Sequence, residues 1–369
     1  DMKKKNLCKT LLKTMCIVLG ILILALLAYI VYLYASYYRI EDNQELVVEA
    51  PVDDTTTGAA AVLATDTEYS AVTYNIGFGA YLPDYSFFMD GGTSSWAESP
   101  ETVQYAINGA GELVKSLDPD FALIQEIDLD ATRSYHTDEY EMLRNLLPEY
   151  TTVFAQNYDS AFLFYPFTQP HGSSRAGLGL FSKYPVSSAL RRSFPISTSF
   201  SKFFDLDRCY SVSRIPVDNG KELVIFNLHM SAYGNSDEIR KGQIEMLCND
   251  MAKEYEAGNY VLCGGDFNHD LKASEEDTES CESWAFPFPR TELPEHFAFC
   301  LDLLSSEEQA ALWNSARNAD MEYVPGVTYT VTLDGFIISD NIECLSYENV
   351  NTGYSYSDHD PVKVEFMLR

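Results

Sequence analysis

Residues 259–268 read NYVLCGGDFN, an apolar run that ends in two polar side chains. The apolar part predicts a short buried strand, because it is brief, rich in residues that favour strands and followed by glycines. A strand end places side chains at the rim of a sheet, where binding and catalytic residues are often found. Asp266 and Asn268 stand two residues apart on the turn that follows, so we expect both to face the same side.

Five other apolar runs carry polar residues at or beside an end. These residues are Asn75 in SAVTYNI, Glu126 after FALIQ, His229 after VIFNL, Asp334 in TLDGFII, and Asp358 with His359 in YSDHDPV. Each of them alone has an ordinary structural explanation, since Asn and Asp commonly form turns. Their shared position at strand ends is what suggests a common site.

Two helices are also indicated between these strands. Ser99 is a candidate N-cap before Pro100, and apolar residues recur every three or four positions from Val103 to Leu117. A second helix is expected after Ser236, with a stripe of apolar residues from Ile244 to Tyr255. Strands that alternate with amphipathic helices indicate mixed sheets covered by helices rather than a helical bundle.

The order of the polar motifs resembles that of the endonuclease/exonuclease/phosphatase superfamily, the DNase I-like proteins. Its members include abasic-site endonucleases, inositol polyphosphate 5-phosphatases and neutral sphingomyelinases. The resemblance covers about residues 70–369, and its most specific motifs are GGDFN and SDHDPV. Asp360 departs from the residue that many members carry after SDH, and residues 270–330 match no motif. The resemblance implies an α/β fold, a DNase I-like four-layered α/β sandwich of two mixed β-sheets flanked by helices.

The chemistry implied by the resemblance is hydrolysis of a phosphodiester or phosphomonoester by in-line attack of water. The negative charge of a phosphodiester repels nucleophiles, so a cation must bind the phosphate and the leaving oxygen. Hard cations take carboxylate and amide oxygens, which makes Asn75, Glu126 and Asp358 suitable ligands for Mg²⁺ or Mn²⁺. Zinc is disfavoured by this oxygen-rich set, and no CxxC motif occurs in the sequence.

The resemblance also assigns a role to each polar residue. Asn75 and Glu126 hold the principal metal with Asp358 in the same cluster, Asp266 activates water, Asn268 and His229 contact the phosphate, and Asp334 orients His359 beside it. Whether Asp266 or His359 is the general base stays open.

Other polar residues have weaker claims. Arg208 aligns roughly with a basic substrate contact, and a surface salt bridge explains it equally well. Arg175, in the polar loop GSSRAG, is a second candidate for contact with phosphate. We expect His136, His171, His269 and His296 to be structural or on the surface, although His269 stands close enough to Asn268 to shape the pocket.

The N-terminal region predicts a membrane anchor. Residues 15–38 contain no charged side chain and are long enough to cross a hydrocarbon core of ~30 Å. A cleaved signal peptide is the alternative, but its apolar part is usually about 7 to 15 residues. The positive-inside rule makes residues 1–14 a cytoplasmic basic tail and places the rest outside the cytoplasm. Residues 39–68 are predicted to be an acidic linker, and residues 69–369 the catalytic domain.

Charge bears on the substrate. Six of the 25 Lys and Arg residues and one of the 55 acidic residues fall within residues 1–39, which leaves 19 basic and 54 acidic residues beyond them. Proteins that bind nucleic acid usually carry a basic face, so this balance disfavours a processive nuclease. Three substrates remain open: nucleic acid, a phospholipid headgroup and an inositol phosphate. A non-enzymatic alternative is a catalytically inactive, membrane-tethered binding module. The sequence indicates no protein partner.

Overall fold

The structure is a computed structural model that describes residues 2–53, 62–203, 205–232, 237–274 and 285–369. The chain divides into two compact units, residues 1–39 and residues 40–369. In the first unit, helix α1 (Met2–Ser36) contains an apolar stretch, Asn6–Ser36, that is long enough to cross a membrane by length and composition. Signal sequences near an N-terminus pass the same test. The helix includes the predicted basic tail and ends two residues before the predicted end of the span.

The second unit contains the remaining elements. Its helices are α2 (Pro100–Leu117), α3 (Glu139–Leu146), α4 (Asp237–Glu256) and α5 (Ser306–Ala311). Its sixteen strands, counted over the described residues, are β1 (Gln44–Glu45), β2 (Val48–Glu49), β3 (Glu68–Asn75), β4 (Phe121–Ala131), β5 (Thr151–Asp159), β6 (Ser174–Ser182), β7 (Ser188–Ser193), β8 (Cys209–Pro216), β9 (Glu222–His229), β10 (Tyr260–Asp266), β11 (Phe297–Phe299), β12 (Ala316–Arg317), β13 (Thr330–Val331), β14 (Asp334–Ser339), β15 (Ile342–Asn349) and β16 (Val362–Leu368).

These strands form two large mixed sheets and one small one. The first sheet has the order β1-β7-β8-β9-β10-β14-β11, the second has the order β15-β16-β3-β4-β6-β5-β2, and β12 pairs with β13 alone. Within the large sheets, β9 and β10 are parallel, as are β3 and β4, and the other neighbours are antiparallel. The predicted fold of two mixed sheets flanked by helices is therefore confirmed.

The core lies between the two large sheets. One cluster of buried apolar residues joins the inner faces, with Leu123 and Val364 from one sheet and Phe226 and Leu262 from the other. Helix α4 adds to this cluster through residues such as Leu247. A second cluster joins α2 and α3 to the other face of β3 and β4. Helices thus cover apolar sheet faces, as a layered α/β domain requires.

Ser99 caps helix α2 as predicted. Its side-chain oxygen accepts a hydrogen bond from the backbone N–H of Thr102 at 3.1 Å, and Pro100 occupies the first turn, where its missing N–H costs nothing. The predicted cap of α4, Ser236, lies outside the described residues. The buried stripe of that helix is present at Ile244, Leu247 and Met251.

The segment predicted as an acidic linker differs from the prediction. Residues 44–45 pair with β7, and residues 48–49 pair with β5, so this segment adds an edge strand to each large sheet. Leu63 is fully buried in the main core and bridges to Val217. Its few apolar residues have no regular period, and for that reason composition alone suggested a solvated linker. The compact domain begins near Ile40 rather than at residue 69.

Several other elements were missed or misjudged. Strands β5, β7, β8 and β15 were not predicted, because none of them contains the continuous apolar run by which the other strands were recognised. In the Ala- and Glu-containing segment 305–319, the helix covers only Ser306–Ala311. The chain then extends into β12, which pairs with β13. Helical propensity there gives way to tertiary pairing.

Candidate active site

Strand register assembles the first part of the site. In the first sheet, Asp266 is the register partner of His229 in the parallel neighbour β9 and of Asp334 in the antiparallel neighbour β14. Residues in register on adjacent strands project to the same face of a sheet. The last residues of β9 and β10 and the first residue of β14 therefore form one polar row at the rim.

The second sheet supplies the facing half. Asn75 ends β3 in register with Gln125 of the parallel strand β4. Glu126 follows Gln125 at an irregularity in the pairing of β4 with β6, and its φ of +57° lies in the left-handed region. That conformation is uncommon for a residue other than glycine and marks a backbone position worth examining for function. The amide nitrogen of Asn75 donates to Glu126 Oε1 at 3.0 Å and to Asp266 Oδ2 at 3.1 Å, which joins the two halves.

His359 is held by Asp334. Its Nδ1 lies 2.7 Å from Asp334 Oδ2, the same oxygen that accepts a hydrogen bond from Ser315 Oγ at 2.7 Å. Burial alone would lower the pKa of an imidazole, but the carboxylates of Asp334, Asp266 and Asp358 outweigh it and raise the pKa of His359 well above its ordinary value. The ring is therefore a cation whose Nε2 points toward Asp266, 3.8 Å from Oδ2.

Asp266 occupies the centre of the site. Its Oδ1 accepts a hydrogen bond from the backbone N–H of Asn268 at 2.8 Å. Burial and the nearby Asp334 raise the pKa of Asp266 to about 7, although His359 and these hydrogen bonds act in the opposite direction. A carboxyl group with a pKa near neutrality can release and accept a proton under physiological conditions, which suits a general base.

His229 approaches the same carboxyl groups from β9. Its Nε2 is 3.6 Å from Asp266 Oδ2 and 3.8 Å from Glu126 Oε1. Burial, with the positive charges of Arg208 and His359, lowers the pKa of His229 well below its ordinary value, so the ring is neutral. Its Nδ1 is buried without a hydrogen-bond partner among the described residues.

Asp358 and Glu126 bring two carboxylates to one desolvated cavity. Burial raises the pKa of Asp358 to about 6, and the charge of Glu126 acts in the same direction, although His359 and Arg317 oppose it. Gly77 lies directly against Asp358: its φ is +54°, and an added Cβ would lie 3.2 Å from Asp358 Oδ1. Two carboxylates in such a place are stabilised by a divalent cation, and their oxygens suit Mg²⁺ or Mn²⁺.

Asn75 fits a metal less directly. Its Oδ1 accepts a hydrogen bond from the backbone N–H of Gly77 at 3.0 Å, and its amide nitrogen faces Glu126 and Asp266. Metal ligation through this side chain requires the amide to turn so that oxygen faces the carboxylates. A separate buried group, Asp266, Asp334 and His359, places one donor atom of each residue within 4.8 Å of the others. The hydrogen bond between His359 Nδ1 and Asp334 Oδ2 already uses one donor atom of each of these two residues.

The two candidate arginines have different surroundings. Arg208 is buried, lines the cavity with the site residues, and its Nε and Nη1 atoms have no hydrogen-bond partner among the described residues. A buried guanidinium without partners is a strong receptor for an anion. Arg175 instead forms an exposed ion pair with Asp130 at 3.0 Å and does not line the cavity. The structure therefore brings Arg208 to the site and leaves Arg175 on the surface.

The cavity has a volume of about 430 Å³. Its lining includes most of the predicted site residues: Glu126, Arg208, His229, Asp266, Asn268, Asp358 and His359. The irregular loop at residues 77–98 supplies much of the opposite wall, including Phe78 and Phe87. Asn75 and Asp334 lie behind these residues and position them.

Sequence reasoning missed several cavity residues. Asn157 lies within the unpredicted strand β5, two residues before its end, and Arg133 is held by two hydrogen bonds to buried Asp128. His171 was expected to be structural or on the surface, but it is buried and lines the cavity. Burial, with the charge of Arg133, lowers the pKa of His171 to about 3. None of these residues belongs to a recognisable motif, so the sequence gives no sign that they line the cavity.

Comparison with known families agrees with this geometry. A sequence profile described as the Endonuclease/Exonuclease/phosphatase family matches residues 72–303. The chain belongs to this family. Its members hydrolyse phosphoester bonds, so the chain is assigned to a family of phosphoester hydrolases. No curated protein matches the sequence closely enough to count as a relative.

Solved structures of the family share the fold at low sequence identity. The endonuclease/exonuclease/phosphatase from Bacteroides vulgatus is 17% identical with a TM-score of 0.54, over 82% of this chain and 100% of that one. D. rerio TDP2 complexed with single strand DNA product is 13% identical with a TM-score of 0.54, over 82% and 99%. The human Nocturnin catalytic domain with bound sulfate is 17% identical with a TM-score of 0.52, over 82% and 95%. At these identities the likeness concerns the fold alone.

Proposed function

We propose that this chain is a Mg²⁺- or Mn²⁺-dependent phosphoester hydrolase in which water attacks phosphorus in line with the leaving oxygen. The observation that carries the proposal is the buried pair of Asp334 and His359. The Nε2 atom of His359 lies 3.8 Å from Asp266 Oδ2, in a cavity that is also lined by the carboxylates of Glu126 and Asp358. An imidazolium, a carboxyl group of nearly neutral pKa and a set of oxygen ligands are the groups that phosphoester hydrolysis needs.

Metal binding falls to Glu126 and Asp358, with Asn75 joining through its oxygen after the amide turns. When bound, the metal would polarise the phosphate and offset the charge of the leaving oxygen. The carboxylates of these residues also repel one another in the desolvated cavity, which favours occupancy by a divalent cation.

The remaining residues position water, proton and phosphate. Asp266 accepts the proton of the attacking water, because the high pKa of His359 keeps that ring protonated and unable to act as base. The Nε2–H of His359 then donates to a phosphate oxygen. His229 and Asn268 contact the phosphate from the side of β9 and β10, and Arg208 binds a further phosphate oxygen through its Nε and Nη1 atoms, which have no hydrogen-bond partner among the described residues.

A chelator experiment tests the proposal. The full chain should hydrolyse bis-p-nitrophenyl phosphate with Mg²⁺ or Mn²⁺, lose that activity in EDTA and regain it when metal is added back. Glu126→Gln should require a higher metal concentration, while Arg175→Gln, on the surface, serves as the matched control. Equal turnover in the chelator would contradict the metal dependence.

Helix α1 is proposed to anchor the domain outside the cytoplasm. Five lysines precede the charge-free residues 15–38, and the length of this charge-free run favours an anchor over a cleaved signal. Protease added to intact cells should then degrade the domain and leave the lysine-rich end protected. Protection of the domain would reverse the orientation, and release of the domain into the medium would favour a cleaved signal.

A further inference from the structure

An exposed aromatic surface stands beside the catalytic cavity. It consists of five residues from two loops, Phe88, Met89, Phe164, Tyr165 and Phe167, which we call the aromatic rim. Phe167 is 85% exposed, Tyr165 63%, Met89 56% and Phe164 51%. Large apolar side chains this exposed and this close together are unusual on a soluble surface and mark a contact with a protein or a membrane.

The rim is continuous with the cavity wall. The ring of Tyr165 contacts those of Phe88 and Phe167, with centroids 5.8 Å apart in each case. Phe88 in turn contacts His171 at 6.0 Å, and both His171 and Met89 line the cavity. A partner that covers the rim is therefore brought to the opening through which substrate reaches Asp266 and His359.

Two features of the chain identify the partner. Residues 37–39 join helix α1 to the compact domain in sequence, so a chain anchored through α1 is tethered to the bilayer by a short segment. Residues 162–169, FLFYPFTQ, contain no charged side chain, and Phe and Tyr are the residues that enter the boundary between headgroups and acyl chains.

Charge narrows the choice of lipid. With 54 acidic and 19 basic residues beyond position 39, the domain has no excess of cations with which to attract anionic lipids. We propose that the aromatic rim inserts into a zwitterionic phospholipid bilayer and presents the cavity to the phosphoester of a lipid headgroup. This inference rests on the proposed hydrolase function and names its substrate class.

Depth-dependent fluorescence quenching tests the docking surface without relying on activity. Full-length Phe167→Trp is reconstituted into phosphatidylcholine vesicles whose acyl chains carry bromine just below the headgroups, about 5 to 10 Å deep, where interfacial side chains reach. The matched control is Leu345→Trp on edge strand β15, 39% exposed. This control position is far from the site. Leu345 follows Cys344, which pairs with Phe366, and Phe366 pairs with Tyr69 of β3. Tyr69 precedes Asn75 by six residues, which is ~20 Å along a strand.

The added tryptophan at position 167 should be quenched by brominated lipid, relative to the unsubstituted chain in the same vesicles, and the one at position 345 should not. No quenching at position 167, or equal quenching at both positions, would overturn the docking surface and leave a protein partner as the occupant.

Activity separates this inference from the function on which it rests. Tyr165→Ser combined with Phe167→Ser should reduce kcat/KM on phosphatidylcholine or phosphatidylethanolamine vesicles by about tenfold or more. Hydrolysis of soluble bis-p-nitrophenyl phosphate should stay unchanged, as should both activities of Leu345→Ser. Soluble activity without any vesicle hydrolysis in the parent chain would refute the lipid substrate, whereas the absence of both activities in the parent chain would refute the hydrolase itself.

Discussion

Strand β14 carries an Asp–His pair at each end, and the two pairs have the same geometry. Asp334 begins the strand and lies 2.7 Å from His359, while Asp340 follows the strand and lies 2.7 Å from His296. The side chains of the first pair are 0% and 8% exposed, and those of the second are 52% and 45% exposed. The same residue types at the same distance therefore meet very different dielectric surroundings.

What surrounds each pair decides what it can do. At the buried end, Asp266 and Asp358 add their charges, and the pKa of His359 rises well above its ordinary value. At the exposed end, Tyr255 stacks on His296 and donates a hydrogen bond to Asp340, whose pKa is lowered by that bond and by the bond from His296. Solvent screens this second pair, which makes it a surface contact of small energy.

The matched substitutions Asp334→Asn and Asp340→Asn should have very different effects on turnover. Asp334→Asn removes the carboxylate that orients His359 and keeps it cationic, so kcat should fall by about 10²-fold or more. Asp340→Asn removes a surface ion pair worth about 0.5 kcal/mol or less and should leave kcat unchanged. Steady-state kinetics on bis-p-nitrophenyl phosphate measure kcat for both variants. An equal change in kcat at the two ends of β14 would contradict a catalytic role that belongs to the buried pair alone.

The two ends should also respond to pH in different windows. At the buried end, the raised pKa values of Asp266 (about 7), Asp358 (about 6) and His359 mean that the folded state holds protons that the unfolded state releases. The free energy that these three groups contribute to the stability of the metal-free protein should therefore fall as pH rises from about 4 through 7 and beyond, while the lowered pKa values of His171 and His229 act in the opposite direction. Asp340 has a lowered pKa, so its contribution is present above about pH 4 and is lost below it.

Thermal melting of the metal-free protein between pH 5 and pH 8.5 measures this effect. The slope of the melting temperature against pH should be less negative in Asp266→Asn than in the parent chain, because the variant lacks one of the groups that release a proton on unfolding. Mg²⁺ at pH 8 should raise the melting temperature of the parent chain. Equal slopes in the two proteins would show that Asp266 does not hold a proton in the folded state.

The buried end was predictable because its residues stand at strand ends. Asp266, His229 and Asp334 each adjoin an apolar run, and strand register then places them side by side without any further information. The Asp340–His296 pair was not predicted, since neither residue belongs to a motif. Distance in sequence gives no sign that they meet.

Loops limited what the sequence could reveal. Arg208 and Arg175 both precede or begin strands and carry the same charge, yet one lines the cavity and the other pairs with Asp130 in solvent. The aromatic residues at 164–167 are visible in the sequence, but their exposure depends on a loop whose path no periodicity describes. Edge strands β1 and β2 were missed for a similar reason, because two-residue pairings leave no pattern.

The most direct test of the account compares His359→Ala with His296→Ala. The measurement is kcat per folded molecule on bis-p-nitrophenyl phosphate with Mg²⁺, with a melting curve for each variant. We expect His359→Ala to lose about 10²-fold or more in kcat per folded molecule. It should also melt earlier than the parent chain, because the buried Asp334 carboxylate loses its partner. His296→Ala should turn over like the parent chain. If His359→Ala melts early yet turns over normally, the buried pair only pins the C-terminal strand and the catalytic assignment is contradicted.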